Sequence, residues 1–198
     1  VSQSSQSMHE EIITKLGPQG IQQMASLLGT DAESAKPAIQ ACLATVICGM
    51  ARNCGEPKGA QQLRAAMDDH SSADPFRDVA GLANDQDGQR ILAHVLGVPG
   101  SRQAAEGIAQ FMGMNSGAIM KMMAMVAPMA MAMMAHRIDE NHLDATAMAR
   151  ELRRQESAMS TTSFGDMLSG VLGGIFGGAQ QQQGGAKPKS KPQRGQRV

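Results

Sequence analysis

Residues 118–135, AIMKMMAMVAPMAMAMMA, decide the fold. They hold eight of the seventeen methionines and one charge, Lys121. At helical spacing Met122, Val126, Met129 and Met133 share one face. Ile119, Met123, Ala127, Met131 and Met134 share another. A helix that is apolar on every side must be enclosed, by protein or by lipid. The uncharged run, 122–135, is 14 residues long, short of the roughly 20 that a membrane span needs. Lys121 and His136-Arg137 close it off. The stretch therefore reads as the central helix of a water-soluble all-α bundle of about eight helices. Asn115 or Ser116 is its expected N-cap, and Pro128 removes one backbone donor within it.

Composition agrees. There is no tryptophan or tyrosine and there are four phenylalanines, so the core must come from Ala, Leu, Ile, Val and Met. That favours close-packed helices over a sheet and gives little for base stacking. Net charge is zero but unevenly placed. Lys187, Lys189, Lys191, Arg194 and Arg197 stand in the last 12 residues with no acid, leaving 13 cations against 18 acids in 1–186. Cys42, Cys48 and Cys54 are spaced by six and form no C-x-x-C pair. An odd, scattered set suits a reducing cytosol, and a cytoplasmic location is expected. The start, VSQSSQSMHEE, lacks the apolar core of a signal peptide.

The expected organisation is an unstructured 1–7, a helical domain over 8–156, a linker at 157–163 (SAMSTTS), an amphipathic segment at 164–178, and an unstructured basic tail at 179–198. Ser7 with Glu10 and Thr30 with Glu33 make capping boxes. Gly17-Pro18 breaks the first helix. Ile39, Leu43, Val46, Ile47 and Met50 supply one buried face, and Pro57 opens the next helix. Ser101 caps a later helix, a polar turn follows His136, and Asn141 caps a helix carrying Leu143, Ala147, Met148 and Leu152. Its Glu151, Arg153, Arg154 and Glu156 read as a solvated face. In FGDMLSGVLGGIFGG, Phe164, Met167, Leu168, Val171, Leu172, Ile175 and Phe176 form a stripe at i, i+3, i+4, i+7, i+8, i+11 and i+12. Glycine and serine fill the other side. Each interior glycine costs about 1 kcal/mol of helix stability against alanine, so this helix should form only when docked.

Two stretches resemble the YidB-like bacterial proteins, a family of unknown function. SLLGTDAESAKPAIQACLATVICGMARN, leading into EPKGAQQL, is similar to the family's Leu-Leu-Gly, helix, Pro-Glu-Gly and helix arrangement, with Pro57-Lys58-Gly59 in place of Pro-Glu-Gly. DGQRILAHVLG at 87–97 is similar to its Asp-Gly-x-x-Ile-Leu-x-His-x-Leu-Gly signature, in which His94 reads as a structural histidine. MVAPMAMAMM resembles its Leu-x-Pro helix. The resemblance spans about 20–136. It implies an all-helical fold and a bacterial source, and brings no catalytic residue.

Chemistry is sparse. No phosphate-cradling glycine loop and no G-x-S-x-G elbow is present. Asp68, Asp69, His70 and Asp74 lack a metal-binding spacing. Met129, Met131, Met133, Met134 and His136 offer soft ligands for Cu(I), but residues two apart on a helix point apart. Neither an enzyme, a cofactor nor a small-molecule substrate is expected. The favoured function is a non-catalytic binding or scaffold module that docks the 164–176 stripe on its own body, a second copy or another protein. The alternatives are contact with an anionic membrane through the stripe and tail, nonspecific nucleic-acid binding through the tail, and Cu(I) binding.

Overall fold

The computed structural model describes residues 7–70, 74–161 and 164–177. Among them the chain forms nine helices and no strand: α1 Met8–Leu28, α2 Ala32–Asn53, α3 Pro57–Asp68, α4 Val79–Leu82, α5 Asp87–Val95, α6 Val98–Met112, α7 Ser116–Asn141, α8 Ala145–Ser160 and α9 Gly165–Gly177. The tail 179–198 and, apart from Ser7, the start 1–7 lie outside the described residues.

Helix α7 is the core. Met122 to Met131, Met133, Met134 and Ala135 are buried, and Asn115 caps the helix by accepting from the Gly117 and Ala118 N–H groups. Helix α2 shares the centre. Only one buried face was expected of it, yet Ala41 to Ala51 is buried without a break. The uncharged run ACLATVICGMA is the signal for this. Helices α2 and α7 pack on each other, with α1 and α8 against α2 and with α5 and α6 against α7. Both are long and apolar enough to cross a membrane by length and composition, and most of each is enclosed by its neighbours.

One contact fixes how α5 crosses α7. Pro128 has no N–H, so the Ala124 carbonyl four residues earlier lacks its helical donor. A Cβ on Gly88 would lie 1.8 Å from that oxygen. Only glycine fits, and the α-hydrogen standing there points at the carbonyl as a weak donor.

Helix starts differ from expectation in several places. Asp31, not Thr30, caps α2 through Ser34 N–H at 2.8 Å. Helix α6 begins at Val98 behind Gly97, and Ser101 lies inside it with its hydroxyl donating to the Gly97 carbonyl at 2.8 Å. Pro99 sits in the first turn, where its missing N–H costs nothing. Helix α7 continues through RIDEN to Asn141, and Asp144 rather than Asn141 caps α8, 2.7 Å from Ala147 N–H. The break expected at Gly17-Pro18 is present: Gly17, at φ 61° and ψ 179°, is non-helical, and α1 is two helical segments joined across a kink there. Four residues of the expected linker are helical, because Met159 continues the buried row of Met148, Leu152 and Gln155. Residues 162 and 163 lie outside the described residues.

Glu151 is not part of a solvated face. It accepts from Arg137 at 2.8 Å, from Arg154 at 2.8 and 2.9 Å and from Gln155 at 2.8 Å. Arg137 also reaches Glu11 at 2.7 Å. Buried Gln155 accepts from Met8 N–H at 2.8 Å, satisfying one orphan donor of α1. The network ties α1, α7 and α8 together. Burial alone pushes the Glu151 carboxyl up. The hydrogen bonds from Arg154 and Gln155, with the charges of Arg154 and Arg137, outweigh it and hold the group below its ordinary value.

Candidate functional site

The stripe at 164–176 lies against the body. Helix α9 packs mainly on α6, with further contacts to α2 and α8. Met167, Leu168 and Leu172 are buried, and Phe164, Val171 and Ile175 are half-buried against the core. The Phe176 side chain lies outside the described residues, as do Lys187, Lys189, Lys191, Arg194 and Arg197.

The seat on α6 is cut by two glycines. A Cβ on Gly107 would meet Val171 Cγ2 at 2.5 Å, and one on Gly100 would meet Ile175 Cγ2 at 2.8 Å. Seven residues apart, they lie on one side of α6 and form notches for the branched side chains opposite. Gly174 faces the Gln103 amide between them. At the far end the Phe111 and Phe164 rings meet edge-on, with centroids 6.3 Å apart. As α9 advances from 164 to 175, its partners on α6 run back from 111 to 100, so the two helices are antiparallel. The seat is not legible in the sequence, where Pro99-Gly100 reads as a turn rather than as part of α6.

The other candidate residues do not converge. Met129, Met131, Met133 and Met134 are buried in the core. The His136 side chain is 57% exposed and sits 3.1 Å from Glu140. His94 is exposed, and its part in the fold is its backbone carbonyl, which accepts from Asn53 Nδ2 at 3.0 Å. All three cysteines are buried and free. Burial pushes the Cys54 thiol up to about 11, Cys48 to about 12 and Cys42 higher still. Such thiols are poor nucleophiles near neutral pH.

His70 joins α3 to α5. Its Nδ1 lies 2.8 Å from the Ala66 carbonyl and its Nε2 lies 2.8 Å from Asp87 Oδ2. Two acceptors are both satisfied only by the imidazolium. Burial opposes that charge, but the bonds to Ala66 and Asp87 and the charges of Asp87 and Asp69 prevail and raise the pKa above 6.5. A raised folded value gives stability that is complete below the unfolded value and lost as pH rises through the folded one. His70→Ala should therefore destabilise the protein below pH 6.5 and lose that effect in alkali. Urea melts across that range check the sign; a cost that grows with pH would contradict it.

The sequence from residue 10 to 137 matches the family model described as bacterial protein of unknown function (DUF937). The chain belongs to this YidB-like family. No curated protein and no solved structure matches it. The DUF937 match takes in α1 to α6 and most of α7, so it includes the seat on α6, whereas α8 and α9 follow it. Within the DUF937 region the Asp-Gly of DGQRILAHVLG and the proline of MVAPMAMAMM acquire a common purpose, since Gly88 meets the carbonyl that Pro128 leaves free.

Proposed function

We propose that this protein is a non-catalytic helical binding module in the cytoplasm, in which α9 is a docking element that leaves its seat on α6 to engage a partner. The observation that carries this reading is the contrast between α9 and its seat. The seat is shaped in detail, by Gly100, Gln103 and Gly107. The occupant is a weak helix with three interior glycines, Gly170, Gly173 and Gly174, together costing about 3 kcal/mol of helix propensity against alanine. Its helicity depends on docking, so it is the element most easily released.

The chemistry elsewhere supports a binding role. The largest thiol shifts belong to the enclosed Cys42 and Cys48, and the Glu156 charge near Cys48 pushes that thiol further up, against the thiolate. A cleft of about 430 Å³ between α1, α5 and α7 sets Asp85 and Lys121 beside Leu27, Leu28, Ala83 and Met120, with no serine, cysteine or histidine in its lining.

Hydrogen exchange tests the release. The α9 amides should exchange far faster than those of α7, through local opening. A Cβ at Gly170 or Gly173 meets nothing within 4 Å. Gly170→Ala and Gly173→Ala should thus each stabilise α9 by about 1 kcal/mol and slow its exchange about five-fold. If α9 is as protected as α7, the docking role fails.

A further inference from the structure

We propose that a groove between α5, α6 and α7 binds an anionic amphiphile, an alkyl chain ending in a carboxylate. The site is separate from the seat of α9, and among the described residues none from α9 lines it. Two clefts compose it. The larger, of about 430 Å³, is the one beside Leu27, Leu28 and Ala83. The smaller, of about 240 Å³, lies over Leu92, Ala93 and Val98. Gln89 and Met120 line both, so the clefts adjoin there. Met120 is unbranched and half-buried, an adaptable divider between them. Together the clefts reach the size of an ordinary small-ligand pocket.

Their chemistry is unequal. The larger cleft holds Lys121, Gln89 and Asp85. Among the described residues the Lys121 ammonium and the Gln89 amide have no partner in an ion pair or hydrogen bond. The N–H groups of Gly117 and Ala118 are taken by Asn115 Oδ1, so the ammonium, and not the end of α7, is the donor left for an anion. Asp85 lines the same cleft while its Oδ1 accepts from the Asp87 N–H at 3.0 Å. It repels a second negative charge on the ligand, which favours a carboxylate over a phosphate monoester.

The smaller cleft suits the chain. Its Ser101 hydroxyl is occupied by the Gly97 carbonyl at 2.8 Å. Its Arg102 is exposed and can keep the guanidinium in water while its methylenes cover an alkyl chain. Leu27 and Val98, two of the three large apolar side chains that stand exposed among the described residues, line one cleft each, where a bound amphiphile would cover them.

Calorimetric titration of the full chain with dodecanoate, below its micelle concentration, tests the site. Dodecanoate should bind about ten-fold more tightly than decanoate, since two further methylenes are buried. Dodecyltrimethylammonium, of equal length and opposite charge, should bind at least about ten-fold more weakly. Lys121→Gln should weaken dodecanoate about ten-fold. Asp85→Asn keeps the acceptor for Asp87 and removes the repulsion, so it should tighten binding about three-fold, a gain that misfolding cannot produce. Ala93→Trp, at an exposed position, fills the smaller cleft and should erase the advantage of dodecanoate over decanoate.

Equal binding of the cationic and anionic amphiphiles would reduce the effect to detergent adsorption and overturn the proposal. A dissociation constant above about 1 mM would do the same, as would a Lys121→Gln chain that binds dodecanoate like the wild type. If dodecanoate fails and a helical peptide of leucine and glutamate binds instead, weakened by Lys121→Gln, the groove belongs to a protein partner and the amphiphile assignment falls.

Discussion

Gly88→Ala should lower the melting temperature by about 6–12 °C, a loss of about 3 kcal/mol. The added Cβ would lie 1.8 Å from the Ala124 oxygen, and what it meets is backbone. No rotamer change can make room, so α5 must lift from α7. Lifting it loosens Ile91, Leu92 and Val95, all buried on α5. Circular dichroism melts of the variant beside the wild type measure the effect. A loss below about 2 °C would mean that the two helices do not cross this closely. Pro128→Ala provides a second reading of the same contact. It restores an N–H for the Ala124 carbonyl, so the two changes should be non-additive, as neighbours sharing one partner are.

The second large effect concerns the polar network. Arg137→Ala should cost about 2 kcal/mol near neutral pH, because Glu11 and Glu151 lose the cation between them. The figure is below that of a fully enclosed pair, since Glu11 is one-third exposed and Arg154 still reaches Glu151. Acid should reveal the same group. The Glu151 value is depressed in the folded state, so its contribution is present above the unfolded value, near 4.5, and disappears as pH falls through the folded one. Melts of wild type and variant should converge in acid; a constant gap down to pH 2 would remove Glu151 from the account (an acid limit of roughly two units below the ordinary carboxylate).

Much of the fold is legible in the sequence because it is written in periodicity. The apolar run at 118–135 announces a buried helix, and the i, i+3, i+4 stripe at 164–176 announces α9. Helix starts are less legible. Thr30 and Asp31 both qualify as caps, as do Asn141 and Asp144, and only the direction of the neighbouring helices selects one. Helix α4, four residues held by Asp78 accepting from Gly81 N–H at 2.9 Å, is too short to show a period. The seat of α9 is illegible for another reason. A glycine in a helix looks like a weakness until the neighbour that needs the space is known, and Val171 lies 64 positions from Gly107.

The bond between Met8 N–H and Gln155 spans 147 residues. A ribosome delivers that length in roughly 7–30 s, at about 5–20 residues per second. During translation, then, Met8 emerges long before the side chain that completes the first turn of its helix. Helix α1 is completed only once α8 has been made, and shortening the chain before residue 155 should leave the first turn of α1 frayed whatever else has folded.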